Sequence, residues 1–259
     1  MSHPCACDMT PAAPFDGGSD KPSDGFALDA ARDPHAALLM AHGAGAPMDS
    51  AWMTQLSSRL AAEGLSVLRF EFAFMAGRRQ DGKRRPAPHA DKLLGAFAER
   101  VTAARALMGD LPLLIGGKSL GGRVASMLCA RGTLAAQVPS DTEMATADAA
   151  TSAVDAAAVT GFVCFGYPFH PRGKPETLRI AHLAELQVPG LILQGTRDPL
   201  GNRDDVAGYE MSPGITVRWL EDGDHDFAPR KRSGITLDAH LTRAAREVSA
   251  FAHRVSNQR

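Results

Sequence analysis

Short apolar runs alternate with longer segments of helical periodicity from residue 36 onward, and this alternation constrains the fold more than any other feature of the sequence. Six runs have the length and aliphatic content of buried strands, and they cover residues 36–41, 66–72, 111–116, 159–165, 190–194 and 216–220. Several are apolar on both faces, which is typical of strands covered by helices on each side. The pattern therefore predicts an α/β fold with a mostly parallel central sheet and helices on both of its faces.

The segments between these runs carry apolar residues at helical spacing, and helices are predicted over residues 49–63, 91–108, 119–130 and 236–255. Residues 1–24 are rich in Pro, Gly, Ser and Asp, a composition that favours a flexible leader. Residues 137–154 are dominated by Ala, Thr, Asp and Ser, which favours a flexible insertion. We therefore expect one domain over residues 25–259, with the insertion at 137–154 and no large cap domain.

Charge and apolar patterning exclude several classes of protein. The formal net charge is -1, so the chain lacks the overall basic character of a nucleic-acid-binding protein. No window reaches the roughly 18 consecutive apolar residues that a membrane-spanning helix needs. The first ten residues also lack the basic start and apolar run of a secretory signal. We expect a cytoplasmic protein with neither a nucleic-acid partner nor a membrane partner.

The four cysteines do not form the pattern of a disulfide framework. Cys5 and Cys7 lie in the polar leader, whereas Cys129 and Cys164 lie within apolar runs. Cys5, Cys7 and His3 are ligand types that suit a soft metal, but three ligands in a flexible terminus make a weak site. We expect neither a metal nor an organic cofactor.

The strongest local signal is the sequence Gly-Lys-Ser-Leu-Gly at residues 117–121, between a predicted strand and a predicted helix. This context is typical of a nucleophile elbow, in which Ser119 occupies a strained turn and the flanking glycines let the strand and helix backbones approach. A phosphate-binding loop is an alternative, but its first glycine would fall at position 112, which is Pro112. A purely structural turn, with Ser119 capping the helix, is a second alternative.

A serine hydroxyl needs a base to take its proton and a carboxylate to orient that base. Asp198 follows the predicted strand 190–194, and His225 follows the predicted strand 216–220, so both come at carboxyl ends of strands. Ser119, Asp198 and His225 also occur in the chain order Ser, acid, His that this type of site uses. As alternatives, Asp198 before a proline is a turn former, and the acidic residues around His225 suit a solvated loop or a metal site.

Residues 42–46, His-Gly-Ala-Gly-Ala, directly follow the first predicted strand. Such a bend exposes backbone N–H groups that can stabilise a developing oxyanion. We expect Ala44 or Gly45 to supply one donor and Leu120, directly after the serine, to supply the other. The alternative is a glycine-rich loop that serves close packing alone.

Four segments together carry a family resemblance: HGAGA at 42–46, GKSLGGR at 117–123, LILQGTRDPLG at 191–201 and GDHDF at 223–227. The chain resembles, from about residue 36 to residue 252, the bacterial α/β-hydrolase-like proteins grouped with testis-expressed protein thirty and NSL-complex subunit three. The resemblance implies the α/β-hydrolase fold, with Ser119, Asp198 and His225 in the triad positions. One relative is a subunit of a chromatin complex, so a non-catalytic interaction module is the alternative to an enzyme.

The resemblance also draws attention to residues 75–79 and 167–171. Arg78 and Arg79 lie in a predicted basic loop after the second strand, where either could pair with a carboxylate or phosphate of an anionic substrate; a solvated loop is the alternative. Tyr167 and His170 follow the strand 159–165 and are candidates to line an acyl pocket, unless this segment is simply a packed turn. Together these features predict a serine hydrolase that forms an acyl-enzyme from a small carboxylic ester or thioester.

Overall fold

The computed structural model describes residues 25–137 and 159–258. Its strands pair in one sheet of order β1-β3-β2-β4-β5-β6-β7, in which β1 is antiparallel to β3 and all other neighbours are parallel. The strands are β1 Phe26–Asp29, β2 Ala36–Ala41, β3 Leu65–Phe70, β4 Leu113–Lys118, β5 Gly161–Phe165, β6 Gly190–Gly195 and β7 Ile215–Leu220. The mostly parallel α/β sheet that the sequence predicts is confirmed.

Helices cover both faces of this sheet, because alternate residues of its strands point to opposite sides. On β2, Leu39 belongs to an apolar cluster with residues of the helices Leu94–Met108 and Leu120–Gln137, whereas Leu38 belongs to a second cluster with residues of the helices Ala51–Ala62 and Leu237–Ser256. The helices are α1 Ala51–Ala62, α2 Ala73–Asp81, α3 Leu94–Met108, α4 Leu120–Gln137, α5 Arg203–Val206 and α6 Leu237–Ser256, with short 3-10 helices at Ala90–Leu93, Ala181–Leu183 and Lys231–Ser233. None of the helices within the described ranges is long and apolar enough to cross a membrane.

Strand β1 was not predicted from the sequence, because four residues beside a polar leader give little periodicity. The strand is fixed by contacts far along the chain, since Arg69 of β3 donates to Asp29 Oδ2 from Nε at 3.0 Å and from Nη2 at 2.8 Å. Arg69 is buried, so its charge needs this partner. The ion pair therefore secures the antiparallel edge of the sheet.

Strand β4 begins and ends two residues later than predicted. Pro112 has no N–H and cannot donate to the ladder, so the strand begins after it. Helix α4 continues to Gln137, seven residues beyond its predicted end. The predicted insertion at 137–154 thus starts on the last residue of a helix; residues 138–154, like the predicted leader 1–24, lie outside the described residues.

Helix α2 replaces the first half of the basic loop that the sequence predicts between residues 74 and 89. Gly82 ends the helix in the left-handed conformation, with φ 69°, which is a common way for a helix to stop. Arg78 and Arg79 therefore lie on the last turn of a helix rather than in a loop. Hydrogen bonds to backbone carbonyls hold the side chain of Arg78, and hydrogen bonds to carboxylates hold that of Arg79.

Candidate active site

Ser119 occupies a sharp turn between the end of β4 and the start of α4. Its φ is +50°, a left-handed conformation that costs free energy for a residue with a side chain. The turn is held on both sides, because Ser119 N donates to Phe165 O at 3.0 Å and Arg123 N donates to Ser119 O at 3.0 Å. A strained serine at a strand end is thus built into the sheet.

Three glycines surround this turn where no Cβ would fit. A Cβ on Gly117 would lie 2.3 Å from Ala41 O, and one on Gly121 would lie 2.6 Å from the same oxygen. A Cβ on Gly122 would lie 2.6 Å from Gly117 O. The prediction that glycines permit the close approach of strand and helix is confirmed, and β2, β4 and α4 meet almost backbone to backbone.

Asp198 and His225 meet at the carboxyl ends of β6 and β7. His225 Nδ1 lies 2.7 Å from Asp198 Oδ2, and the carboxylate is fully buried. Asp198 also accepts from Gln194 Nε2 at 2.9 Å and from Leu200 N at 2.8 Å. Because Asp198 accepts at Oδ2, Nδ1 of His225 carries the proton, which leaves Nε2 unprotonated in the neutral ring.

Gln194 supports this carboxylate from within β6. The two N–H groups of its Nε2 are shared among three acceptors, namely Asp198 Oδ2, Tyr167 O at 3.1 Å and Gly201 O at 3.0 Å. Its Oε1 accepts from Tyr167 N at 2.7 Å. Gln194 is fully buried, so these bonds join the loops that follow β5 and β6.

Lys118, directly before Ser119, holds the loop that carries His225. Lys118 Nζ donates to His225 O at 2.6 Å and lies 3.2 Å from Asp226 Oδ1. Trp52 Nε1 donates to Asp226 O at 2.9 Å, and the Lys118 ammonium lies 5.4 Å from the centroid of the Trp52 ring. Burial lowers the pKa of Lys118, although the Asp226 charge opposes that shift.

The acidic residues around His225 already have structural partners. Asp222 accepts from Arg230, whose guanidinium holds the pKa of that carboxyl below its ordinary value. Asp224 Oδ1 accepts two backbone amides of its own turn, each at 2.9 Å. Within residues 25–137 and 159–258, no group of three His, Cys, Asp or Glu side chains is placed to hold a metal ion. The metal alternative for this loop thus has no support in the geometry.

Ser119 and His225 open onto one cavity of about 430 Å³. Its wall combines a glycine-rich loop, an aromatic and a thioether side chain from α1, and the residues around the turn at Ser119: Gly43, Ala44, Gly45, Ala46, Ser50, Trp52, Met53, Lys118, Ser119, His225 and Asp226. This volume is within the range of small-molecule sites. Trp52 and Met53 lie in the predicted helix 49–63, and their position at the border of the cavity was not predicted from the sequence, although this helix follows the glycine-rich loop.

The loop Gly43–Ala46 is fixed by a buried histidine. His42 Nε2 accepts from Phe72 N at 3.1 Å, so its Nδ1 carries the proton and donates to Gly43 O at 2.6 Å. Burial lowers the pKa of His42, which keeps the ring neutral. On the facing side, Leu120 is the first residue of α4 and its N–H therefore has no intrahelical acceptor. The loop Gly43–Ala46 and the first residue of α4 thus both lie beside Ser119.

The structure does not bring Arg78 and Arg79 into the cavity. Arg79 donates to Asp49 at 2.8 and 2.9 Å and to Glu71 at 2.5 and 3.2 Å, and these bonds raise its pKa. Arg78 donates to Ala44 O at 3.2 Å and to Arg85 O. A substrate anion would have to displace two carboxylates from Arg79, so this geometry does not support the substrate-binding role of the pair, which stays a prediction. Arg78 instead supports the glycine-rich loop.

Tyr167 and His170 do not line the cavity either, because the loop after β5 folds back on the protein. Both side chains are buried. Tyr167 Oη donates to Arg179 O at 2.8 Å, and His170 contacts Pro171 O at 2.9 Å and Asp205 Oδ2 at 3.4 Å. The burial and hydrogen bonds of these two residues agree with the packed-turn alternative, and their role in an acyl pocket stays a prediction.

Fold and site together define the class of this protein. A serine on a strained turn after β4, a buried aspartate after β6 and a histidine after β7, all on a mostly parallel sheet, are the arrangement of the α/β hydrolases. The chain belongs to the family described as an alpha/beta hydrolase domain, whose model matches residues 34–253. A search of curated proteins found no match to the sequence.

Solved structures share this fold at low sequence identity. An esterase domain from Rhodothermus marinus is 17% identical with a TM-score of 0.54, covering 88% of this chain and 92% of that one. A serine hydrolase without a lid from Xanthomonas campestris is also 17% identical, with a TM-score of 0.54 and coverage of 86% and 88%. Dienelactone hydrolase from Anabaena variabilis is 20% identical, with a TM-score of 0.55 and coverage of 87% and 88%. At these identities the likeness establishes the fold alone.

Proposed function

We propose that this α/β-hydrolase-family protein is a serine hydrolase, with Ser119 as nucleophile, His225 as general base and Asp198 as the orienting acid. The observation that carries the proposal is the 2.7 Å hydrogen bond between His225 Nδ1 and Asp198 Oδ2, because His225 lines the same cavity as Ser119. The bond leaves Nε2 of His225 as the basic nitrogen. The strained φ of Ser119 is what a nucleophile presented at a turn requires.

In the first half of the reaction, Ser119 Oγ attacks the substrate carbonyl carbon while His225 Nε2 takes the hydroxyl proton. The resulting alkoxide is stabilised by the amide of Leu120 and by an amide of Ala44 or Gly45, each worth about 3 kcal/mol. Collapse of the tetrahedral intermediate breaks the bond to the alcohol or thiol, which receives the proton from Nε2. An acyl group then remains on Ser119.

In the second half, His225 Nε2 removes a proton from water, and the hydroxide attacks the acyl carbon. The second tetrahedral intermediate collapses, Ser119 Oγ leaves with the proton from Nε2, and the carboxylic acid is released. Throughout, Asp198 stabilises the imidazolium without accepting its proton. Every step uses groups that border the cavity or are bonded to one that does.

The substrate that suits this cavity is a small carboxylic ester or thioester. About 430 Å³ holds a short acyl chain and its leaving group. Trp52 and Met53 give the wall an apolar surface against which an acyl chain would pack. Proteins named as an esterase and as dienelactone hydrolase have the same fold, which agrees with ester chemistry.

Within the family, we place the chain with the bacterial relatives of testis-expressed protein thirty and NSL-complex subunit three. The support is the ordered set of segments at 42–46, 117–123, 191–201 and 223–227. All four lie at carboxyl ends of strands β2, β4, β6 and β7. This grouping does not name a substrate.

Labelling with a fluorophosphonate probe tests the enzyme proposal directly, because the probe phosphonylates activated serines. We expect the wild-type protein to be labelled and Ser119→Ala and His225→Ala to be unlabelled. Ser50→Ala is the matched control, since Ser50 borders the same cavity, and it should be labelled like wild type. A folded wild-type protein that never reacts would overturn the proposal and favour the interaction module, for which pull-down of a stable partner would be the next measurement.

A further inference from the structure

A second group of polar side chains lies beside helix α4, next to the short helix Ala181–Leu183, and it has no part in the proposed reaction. We call it the arginine cluster: Arg123, Ser126, Tyr167, Arg179 and His182. His182 Nε2 lies 2.9 Å from Ser126 Oγ and 3.5 Å from Tyr167 Oη. Tyr167 Oη donates to the backbone carbonyl of Arg179 at 2.8 Å. One network therefore joins His182, Ser126, Tyr167 and the backbone of Arg179, and the Arg123 charge lies close enough to act on Arg179 and His182.

His182 is neutral, so the charge of the arginine cluster comes from its two arginines. Ser126 Oγ donates to Arg123 O at 2.8 Å, and must therefore accept from His182 Nε2–H. Burial, with a smaller contribution from the Arg123 charge, lowers the pKa of His182 to about 4. At pH 7 the cluster therefore carries two positive charges.

These two charges have no counter-ion in the described part of the chain. Within residues 25–137 and 159–258, neither Arg123 nor Arg179 forms an ion pair with a carboxylate. Arg123 Nε is buried and has no hydrogen-bond partner. Burial and the Arg123 charge both lower the pKa of Arg179. Two partly buried like charges with an unsatisfied donor are unfavourable unless an anion joins them.

Ten other arginines of the chain form ion pairs with carboxylates. Carboxylates pair with the guanidinium groups of Arg59, Arg69, Arg79, Arg85, Arg197, Arg203, Arg218, Arg230, Arg243 and Arg246. Some of these are well exposed and need a counter-ion less than the partly buried pair does. Arginines without an ion pair also occur elsewhere in the described chain, but Arg32, Arg84, Arg172, Arg232 and Arg254 are exposed, and Arg78 donates to two backbone carbonyls. Arg123 and Arg179 differ from these because they are partly buried and pair with no carboxylate of the described residues.

We propose that Arg123 and Arg179 form a binding site for an oxyanion, namely a carboxylate, phosphate or sulfate group. The planar guanidinium fork matches the oxygen spacing of these groups and makes two parallel hydrogen bonds to them. Arg123 Nε is a donor that such a group would satisfy. The site is separate from the cavity at Ser119, but Arg123 is connected to it because its N–H donates to Ser119 O one helical turn away.

Calorimetric titration with inorganic phosphate and with sulfate tests the site without any need for turnover. We expect saturable binding to the wild-type protein and at least tenfold weaker binding to Arg123→Gln and to Arg179→Gln. Arg172→Gln is the matched control, because Arg172 is an exposed arginine of the same loop, and it should bind like wild type. No saturable binding by wild type, or equal binding by all four proteins, would overturn the proposal. Circular dichroism establishes that each variant is folded.

Kinetics then distinguish a substrate group from a free anion. If the anion belongs to the substrate, both cluster variants raise KM at least tenfold for an ester with an acidic acyl group and leave KM for a neutral ester unchanged. If it is a free ligand, phosphate changes the rate for neutral esters in wild type and not in the variants. This arm depends on the proposed hydrolase activity, whereas the titration does not, so failure of one proposal is distinguishable from failure of the other.

Discussion

Two histidine–aspartate pairs stand at the carboxyl ends of neighbouring strands, and they differ in which partner is buried. In the pair His225–Asp198 the acid is 0% exposed and the histidine is 22% exposed, at a distance of 2.7 Å. In the pair His170–Asp205 the histidine is 4% exposed and the acid is 29% exposed, at 3.4 Å. A general base must meet its substrate, while its orienting acid works best away from water. The order of burial therefore separates the pair proposed to be catalytic from the structural one.

The largest expected difference between the pairs comes from removing each histidine. His225→Ala should lower kcat/KM for a p-nitrophenyl ester by roughly 10^6-fold, because no base remains to activate Ser119. His170→Ala should stay within about tenfold of wild type, since that ring bonds to Pro171 O and Asp205 away from the cavity. If both variants lost kcat/KM to a similar extent, burial would not distinguish the two histidine–aspartate pairs.

Amidation of each acid comes next. Asp198→Asn should lower kcat by roughly 10^4-fold, because an amide facing His225 Nδ1 favours the wrong ring tautomer. Asp205→Asn affects only structural contacts, since Asp205 Oδ2 lies 3.4 Å from His170 Nε2 and accepts from Asn202 N at 3.1 Å in the capping box of α5, and kcat should be nearly unchanged. Steady-state kinetics of both variants on one ester provide the check.

A third histidine extends the comparison to stability. The pKa of His182 is about 4 in the folded protein against an ordinary 6.5, so the unfolded chain takes up the proton first as the pH falls. The free energy of unfolding should then decrease between about pH 6.5 and pH 4, by at most about 3 kcal/mol, or roughly 10^2 in the equilibrium constant. Urea denaturation at pH 7.5 and pH 4.5 should reveal a smaller decrease for His182→Gln than for wild type. An equal decrease in the free energy of unfolding for wild type and His182→Gln would contradict the prediction that His182 is neutral in the folded protein.

The smallest expected effect concerns how the His225 loop is held. Lys118→Met removes the donor to His225 O and should lower kcat by about tenfold with little change in KM, because the base becomes less well oriented. Lys174→Met, at an exposed position after His170, should leave both constants unchanged. Equal kinetics for the two variants would mean that the loop keeps its shape without the ammonium.

The sequence predicted best the features that short-range patterns decide. The turn at Ser119 was predictable, because glycines on both sides of a serine between a strand and a helix leave few other conformations. Asp198 and His225 were predicted by chain order and strand-end position, and the structure places them in contact. Such patterns are local or follow from the topology of a parallel sheet.

The surroundings of the site were harder to predict, because they depend on contacts between distant residues. Arg79 was predicted to bind an anionic substrate, but its guanidinium pairs with Asp49, which lies thirty residues earlier in the chain. Strand-end position was correct for Tyr167, but its burial depends on a return of the chain in which Arg179 N donates to Phe169 O at 2.8 Å. Neither contact leaves a signal in periodicity or composition.

Gln194 limits how far this protein can be redesigned. Its amide is bonded at once to the acid Asp198 and to the backbone of Tyr167. Replacement of the loop after β5 to change substrate preference would therefore also disturb the hydrogen bonds by which Gln194 holds Asp198. Grafts should therefore begin beyond Tyr167 and keep its peptide groups in place. Evolution of new specificity would more easily proceed through α1, where Trp52 and Met53 border the cavity and make no bond to Gln194.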